Sequence, residues 1–304
     1  MPTPLTYIGF IAFIIAMLLL DLKVFHSSPH QISSKEAAAW VGVWVGIALA
    51  FGLILLFWQG PHRAAEYFSG YLIEYSLSVD NMFVFIVIFS YFRVPKEYQH
   101  QVLFYGILGA ILFRGAFIAA GIGLISAFGW VTYIFGGLLI VTAVRVVRGS
   151  SEPDPGRNIL LKFFNRHFRA TSDFDGQKLF TVSKGKKVAT ALFVVLLVIE
   201  TTDIVFAVDS IPAIFAVTRS AFIVLTSNLF AILGLRSLYF LLAETMSRLS
   251  MLKYGLALIL ALVGTKMLLA DVIEIPVWVS LAAIVVVLGA TVLASFLKPS
   301  STSD

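Results

Sequence analysis

Two acidic motifs with the same spacing lie inside long apolar stretches of the chain. The first, Glu74–Asn81, reads Glu-Tyr-Ser-Leu-Ser-Val-Asp-Asn, and the second, Asp203–Ser210, reads Asp-Ile-Val-Phe-Ala-Val-Asp-Ser. Each has an acid, five residues, a second acid and a small amide or hydroxyl side chain. With Glu200, one helical turn before the second motif, the acids are Glu74, Asp80, Glu200, Asp203 and Asp209. An unpaired charge at the bilayer centre costs roughly 2.5–3.5 kcal/mol or more, so this group needs compensating partners.

Two arginines in apolar stretches, Arg114 and Arg236, compensate two of the five negative charges. A static clamp between helices and a moving counter-charge that replaces a cation are equally open roles for them. A bound divalent cation and one proton would neutralise the remaining acids.

The side chains available as ligands narrow the choice of ion. The chain has no cysteine, and its histidines are predicted in loops or at the ends of spans: His26, His30, His62, His100 and His167. The acids, Asn81 and the auxiliary candidates Ser210 and Asn228 offer oxygen ligands. Oxygen favours hard cations such as Mg²⁺, Ca²⁺ or Mn²⁺ over Zn²⁺ or Cu⁺, so a site for one of these ions is predicted.

The composition requires that these residues be positioned by membrane helices. Of 304 residues, 59% are hydrophobic and 13% are charged, and soluble domains carry about twice that charged fraction. Soluble and disordered classes are therefore excluded. Because about 20 apolar residues cross a bilayer as a helix, we predict an all-α membrane protein with nine spans. These are Leu5–Leu22, Ala38–Trp58, Ala64–Phe92, Gln101–Ser126, Trp130–Val147, Val188–Val217, Ala221–Leu242, Tyr254–Leu269 and Ile275–Leu297.

The distribution of basic residues predicts the orientation. With the N-terminus outside, 17 of the 22 Lys and Arg residues face the cytoplasm and two lie in outer loops, as the positive-inside rule requires. An N-out, C-in topology is expected. The polar segment 149–187 is a basic cytoplasmic linker, and this distribution explains the basic pI without a nucleic-acid partner.

The two motifs belong to an internal repeat. Ala110–Arg114 in the fourth span resembles Ala231–Arg236 in the seventh, which is one residue longer. Spans three to five (64–148) and six to eight (188–270) then form two three-helix units of inverted topology, which transporters use to build a midplane site. Residues 1–63, with spans one and two, and residues 271–304, with the last span and tail, are peripheral.

The repeat carries two further expectations. The third and sixth spans are 29 and 30 residues long, which suggests discontinuous helices, although a tilted helix explains the third equally well. Inverted symmetry would also separate the acids into two levels, with Glu74 and Asp209 in the outer one and Asp80 and Asp203 in the inner one.

These residues resemble the TerC family, specifically its Alx-like branch. The resemblance rests on Gly70–Phe85, Phe89–Pro95, Glu200–Ala213 and Ser227–Arg236, together with Asp21–His26. It implies a bacterial inner-membrane protein of the LysE-type transporter superfamily, with manganese efflux as the activity. It also admits roles in tellurite resistance, in metal supply to exported proteins or in membrane protein assembly.

The leading hypothesis is a secondary transporter that exports Mn²⁺, since the chain contains no Walker motif; Mg²⁺ and Ca²⁺ would suit the same ligands. The alternative is a non-transporting scaffold or assembly factor in metal or tellurite stress, which would bind a protein partner through the basic linker. An enzyme is not expected: no Gly-x-Gly-Asp motif occurs, and no membrane histidine is available as a base.

Overall fold

The computed structural model describes residues 3–25, 33–148, 174–183, 186–245, 251–273 and 275–297. Within these residues the chain forms helices and one short β-hairpin. The helices are α1 (Pro4–Phe25), α2 (Ser34–Gln59), α3 (Pro61–Tyr91), α4 (Lys96–Ala127), α5 (Val131–Arg148), α6 (Ala191–Phe215), α7 (Ala221–Leu233), α8 (Leu235–Thr245), α9 (Leu252–Leu268) and α10 (Val277–Leu297). The hairpin pairs β1 (Phe180–Ser183) with β2 (Lys186–Ala189).

The helices have the length and composition of membrane spans. In the described part of the chain, six are long and apolar enough to cross a bilayer, namely α2 to α6 and α10, and the bent pair α7 and α8 makes a seventh if it is one span. The first and eighth predicted spans coincide with α1 and α9. Their described apolar stretches are shorter, at Pro4–Leu20 and the 17 residues of α9, so nine spans remain a prediction.

The predicted sixth span begins at Val188, three residues before the helix itself begins. Residues 186–189 form strand β2, and α6 begins only at Ala191. Thr190 ends the strand and caps the helix, because its hydroxyl accepts a hydrogen bond from the Phe193 N–H and donates to the Lys178 carbonyl. A hydroxyl N-cap of this kind accepts a hydrogen bond from a free N–H group of the first helical turn. Because Val188 and Ala189 are apolar, hydropathy alone extended the predicted span through them.

The expected discontinuity is also in a different place. Helices α3 and α6 run unbroken through both motifs, and Pro212 lies within the last turn of α6. The break falls in the predicted seventh span, where α7 and α8 meet at Gly234 with a bend of 42°. Gly234 is poor at holding a helix, and a Cβ atom there would lie 3.2 Å from the Cβ of Trp44.

Packing places α3 and α6 together at the centre of the structure. Helix α3 also packs against α7, α6 packs against α4, and α5 packs against α9. Helices α2 and α10 both contact α3 from outside, and α1 contacts α7. Large apolar side chains such as Phe57, Leu112 and Val286 remain exposed on the outer helices. Exposed apolar surface on this scale is expected where lipid replaces water as the solvent.

Candidate functional site

Arg114 lies at the centre of a buried ion-pair cluster. Its side chain is completely buried in α4 and donates from Nη1 to Glu74 Oε1 on α3. The same guanidinium donates to Asp203 on α6, from Nη2 to Oδ1 at 3.0 Å and from Nε to Oδ2 at 3.3 Å. This two-pronged geometry is the strong form of an arginine–carboxylate pair. The cluster therefore joins three helices through one guanidinium and two carboxyl groups.

Glu74 has further donors around its carboxylate. Asn228 Nδ2 on α7 donates to Oε2 at 2.9 Å, and Ser78 Oγ, one turn along α3, lies 3.4 Å from Oε1. Ser210 Oγ on α6 lies 3.5 Å from Arg114 Nη1. A fourth helix thus joins the cluster through this amide. Several donors together satisfy the buried carboxylate of Glu74.

The helical period explains why these groups converge. Residues four apart on α3, and seven apart on α6, return to the same face of a helix. Glu74 and Ser78 satisfy the first spacing, and Asp203 and Ser210 the second. Each polar face is narrow, and both turn toward Arg114 on α4.

Glu200 lies one turn before Asp203 and has a different environment. In the part of the chain that the structure describes, its Oε2 atom is buried and has no hydrogen-bond partner. The carboxylate lies directly against Gly109 of α4, where a Cβ atom would overlap it. The glycine therefore provides the space that this carboxylate occupies.

Asp209 lies at the other end of the α6 motif and faces α5. Thr142 Oγ1 donates to Asp209 Oδ1 at 2.8 Å, and the aspartate is partly buried. A single hydroxyl leaves most of the acceptor capacity of this carboxylate open. Asp209 is thus intermediate between the ion-paired acids and Glu200.

A small cavity adjoins Asp203 on the side of α8. Its volume is about 20 Å³, and its wall includes Asp203, Arg236 and Met82 among otherwise apolar side chains. Such a space holds about one water molecule. Arg236 is 1% exposed, so both predicted arginines lie in the protein interior beside the α6 motif.

Comparison with known proteins assigns the chain to a family. Residues 59–303 match the family described as integral membrane protein TerC family. The chain belongs to the TerC family. It is 48% identical to an uncharacterized membrane protein of Myxococcus xanthus, with 99% of this chain and 96% of that protein covered. It is 46% identical to Alx of Escherichia coli K12, named as a candidate membrane-bound redox modulator, with 93% and 91% covered. No solved structure matches.

The arrangement in this TerC protein differs from the expected two levels of acids. A single guanidinium binds Glu74 and Asp203, so these acids form one cluster and not two separate ion stations. In the described residues, no group of three or more His, Cys, Asp or Glu side chains could hold a metal ion as they stand. Asn81 is buried on α3, and the side chain of Asp80 lies outside the described part.

Three contributing residues were not among the predicted site residues. Ser78 follows Glu74 by four positions, and this spacing could have indicated it. Thr142 and Gly109 carry no comparable pattern. They lie on helices whose contact with α6 is decided only by packing.

Proposed function

We propose that this TerC family protein is a secondary transporter that exports a hard divalent cation, with Mn²⁺ as the proposed substrate, across the bacterial inner membrane. The observation that carries the proposal is the buried Glu74–Arg114–Asp203 cluster, in which two carboxylates face one guanidinium. If both acids are ionised, the cluster carries a net negative charge in the membrane interior. Because such a charge is costly there, it is typical of a functional site.

The ligands of the cluster suit a hard cation. Glu74, Asp203, Ser210 and the amide of Asn228 offer oxygen atoms, which Mg²⁺, Ca²⁺ and Mn²⁺ prefer. Asp80 and Asn81 of the first motif are proposed as further ligands. Glu200 and Asp209, on the same helix as Asp203, are proposed as stations on the path of the ion.

Arg114 has the role of counter-charge in this proposal. An entering cation competes with the guanidinium for the same carboxylate oxygens, so Arg114 must release at least one acid as the ion binds. In the cation-free state the guanidinium returns and limits the cost of burying two negative charges. Arg236, beside the cavity at Asp203, is proposed to gate access from the side of α8.

The packing supports the proposed inverted repeat. In the proposed repeat, α3 corresponds to α6, α4 to α7 and α5 to α9. The contact of α3 with α7 then corresponds to the contact of α6 with α4, and α5 packs against its own counterpart, α9. The close contacts correspond as well. A Cβ atom at Gly70 would lie 2.8 Å from Ser227 Oγ, and one at Gly106 would lie 3.3 Å from Ile199 Cγ2. The positions also match in the two units. Each motif has one of these residues four positions before its first acid, Gly70 or Ile199. The other two, Gly106 and Ser227, lie four positions before the matching alanines, Ala110 and Ala231. Rocking of one unit against the other would alternate access to the ion.

Flux measured in proteoliposomes tests the proposal. Purified wild-type protein should move Mn²⁺ under a proton gradient or an imposed potential, with Mg²⁺, Ca²⁺ and Zn²⁺ as competitors that rank its ions. We expect Asp80→Asn and Asp209→Asn to lower the flux by about tenfold or more, the scale at which metal sites respond to altered ligands. Glu97→Gln, at an exposed acid at the start of α4, is the control and should keep the wild-type rate.

Two results would overturn the proposal. Unchanged flux in both aspartate variants would show that Asp80 and Asp209 do not bind the transported ion. Absence of flux from folded wild-type protein under either gradient would favour the scaffold function. In that case charge reversal within the basic linker, 157–187, should abolish the cellular phenotype while the aspartate variants retain it.

A further inference from the structure

The β1–β2 hairpin presents an apolar face to its surroundings. Phe180 is 52% exposed and Val182 is 67% exposed. Alternate residues of a strand share a face, and the antiparallel register places Lys187 directly across from Val182. The face therefore combines two exposed apolar side chains with a lysine.

This hairpin is attached to the beginning of a membrane-length helix. Thr190, which caps α6, donates to the carbonyl of Lys178 at 2.7 Å and thereby ties the hairpin base to the helix. The Phe180 ring lies 4.7 Å from the Phe193 ring in the first turn of α6. The apolar face thus continues the apolar surface of α6, and its place in the chain is where that helix enters the bilayer.

Most charged side chains around the face are basic. Lys178, Lys186 and Lys187 are exposed, and the only acid in residues 174–190 of the sequence is Asp175. Asp175 is already engaged by Thr181 Oγ1 at 2.7 Å and by Lys178 Nζ at 3.4 Å. These contacts hold the pKa of Asp175 below its usual value, first through the Thr181 hydrogen bond and then through Lys178. The surplus lysines are therefore available to an anionic partner.

We propose that this hairpin is a lipid-binding element, with Phe180 and Val182 inserted at the headgroup boundary and the surrounding lysines on the phosphates of anionic phospholipids. Apolar side chains beside lysine are the composition of interfacial membrane contacts, and basic residues next to a span are attracted to anionic lipid. A face of two apolar side chains is small for a stable protein interface, which buries about 800 Å² on each partner. The proposal does not depend on the transport function.

The absence of cysteine from the chain makes a spin-label experiment direct. Val182→Cys and, on the opposite face, Lys186→Cys would each carry one nitroxide in the full-length protein. The protein is placed in nanodiscs of phosphatidylcholine with or without phosphatidylglycerol. Collision rates with oxygen, which partitions into lipid, and with a water-soluble nickel chelate are then compared.

With phosphatidylglycerol present, we expect the oxygen-to-nickel ratio to be about tenfold higher at position 182 than at position 186, since apolar side chains at the interface leave water. Omitting phosphatidylglycerol, or replacing Lys178 and Lys187 with Gln in the Val182→Cys protein, should reduce this difference. Equal ratios at the two positions would place the face in water and overturn the proposal. A label at 182 shielded from both reagents would mean that protein covers the face, which would overturn it as well. A difference that persists without anionic lipid would reject the headgroup contact.

Discussion

Glu74 and Glu200 are both glutamates in apolar helices of membrane length, yet their carboxylates have opposite surroundings. Glu74 receives hydrogen bonds from Arg114, Asn228 and Ser78. Glu200 has a buried oxygen without a donor in the described structure and lies against the backbone at Gly109. An acid that already has a cation beside it must lose that partner before it binds another. An acid without one is free of this requirement, so the two glutamates differ in what they can do.

The largest expected effect comes from removing the cation of the paired acids. Arg114→Gln leaves Glu74 and Asp203 buried without their counter-charge, and breaking a buried ion pair costs about 3–5 kcal/mol. Thermal unfolding of the detergent-solubilised protein should show a large drop in midpoint. Arg148→Gln, at an exposed arginine of α5, is the matched control and should unfold near the wild-type temperature. If Arg114→Gln also does so, the cluster does not stabilise the fold.

The two glutamates should respond differently to neutralisation. Glu74→Gln loses a charge-assisted hydrogen bond to Arg114, worth about 1.5–3 kcal/mol. Glu200→Gln removes a carboxylate that has no such bond, and we expect its effect on stability to be less than half as large. The same unfolding assay compares the two variants directly. Equal losses of stability would contradict the distinction between a paired and an unpaired acid.

The space beside Glu200 provides a third test. Gly109→Ala places a methyl group where the carboxylate lies, and overpacking of this kind costs about 1–3 kcal/mol. Gly115→Ala, on the same helix with nothing within 4 Å of its Cβ position, should be neutral or stabilising because alanine favours a helix by about 1 kcal/mol. Unfolding midpoints of the two variants give the comparison. Combining Gly109→Ala with Glu200→Ala should restore stability, and failure to do so would place the clash elsewhere.

The smallest expected effect concerns Asp209, whose environment is intermediate. Thr142→Val removes the hydroxyl that donates to Asp209, and a single hydrogen bond contributes about 0.5–1.5 kcal/mol. Thr132 on the same helix is buried, and its hydroxyl has no hydrogen-bond partner in the described residues. Thr132→Val is therefore the control and should cost less. A larger loss from Thr132→Val would mean that the methyl replacement, and not the hydrogen bond, is responsible.

Much of the site composition was predictable from local pattern. Five acids and two arginines in apolar stretches indicated a buried charged cluster, and Arg114 indeed binds two of those acids. The pairing itself was not predictable, because Arg114 is 40 residues from Glu74 and 89 residues from Asp203 in the chain. Local pattern does not fix how α4 is rotated about its axis against α3 and α6, and that rotation decides which acids Arg114 meets.

Hydropathy and charge by themselves determined that this is a helical membrane protein with acids in its interior, because the transfer of apolar and charged groups into lipid depends on residue type and run length. The motifs by themselves indicated the TerC family, and the comparisons confirm it. Only the tertiary structure decided that Glu74 and Asp203 share Arg114 while Glu200 lies against Gly109. It also decided that residues 186–189 pair as a strand and that the break falls at Gly234. These outcomes depend on which helix faces meet, and that is settled by packing between residues far apart in the chain.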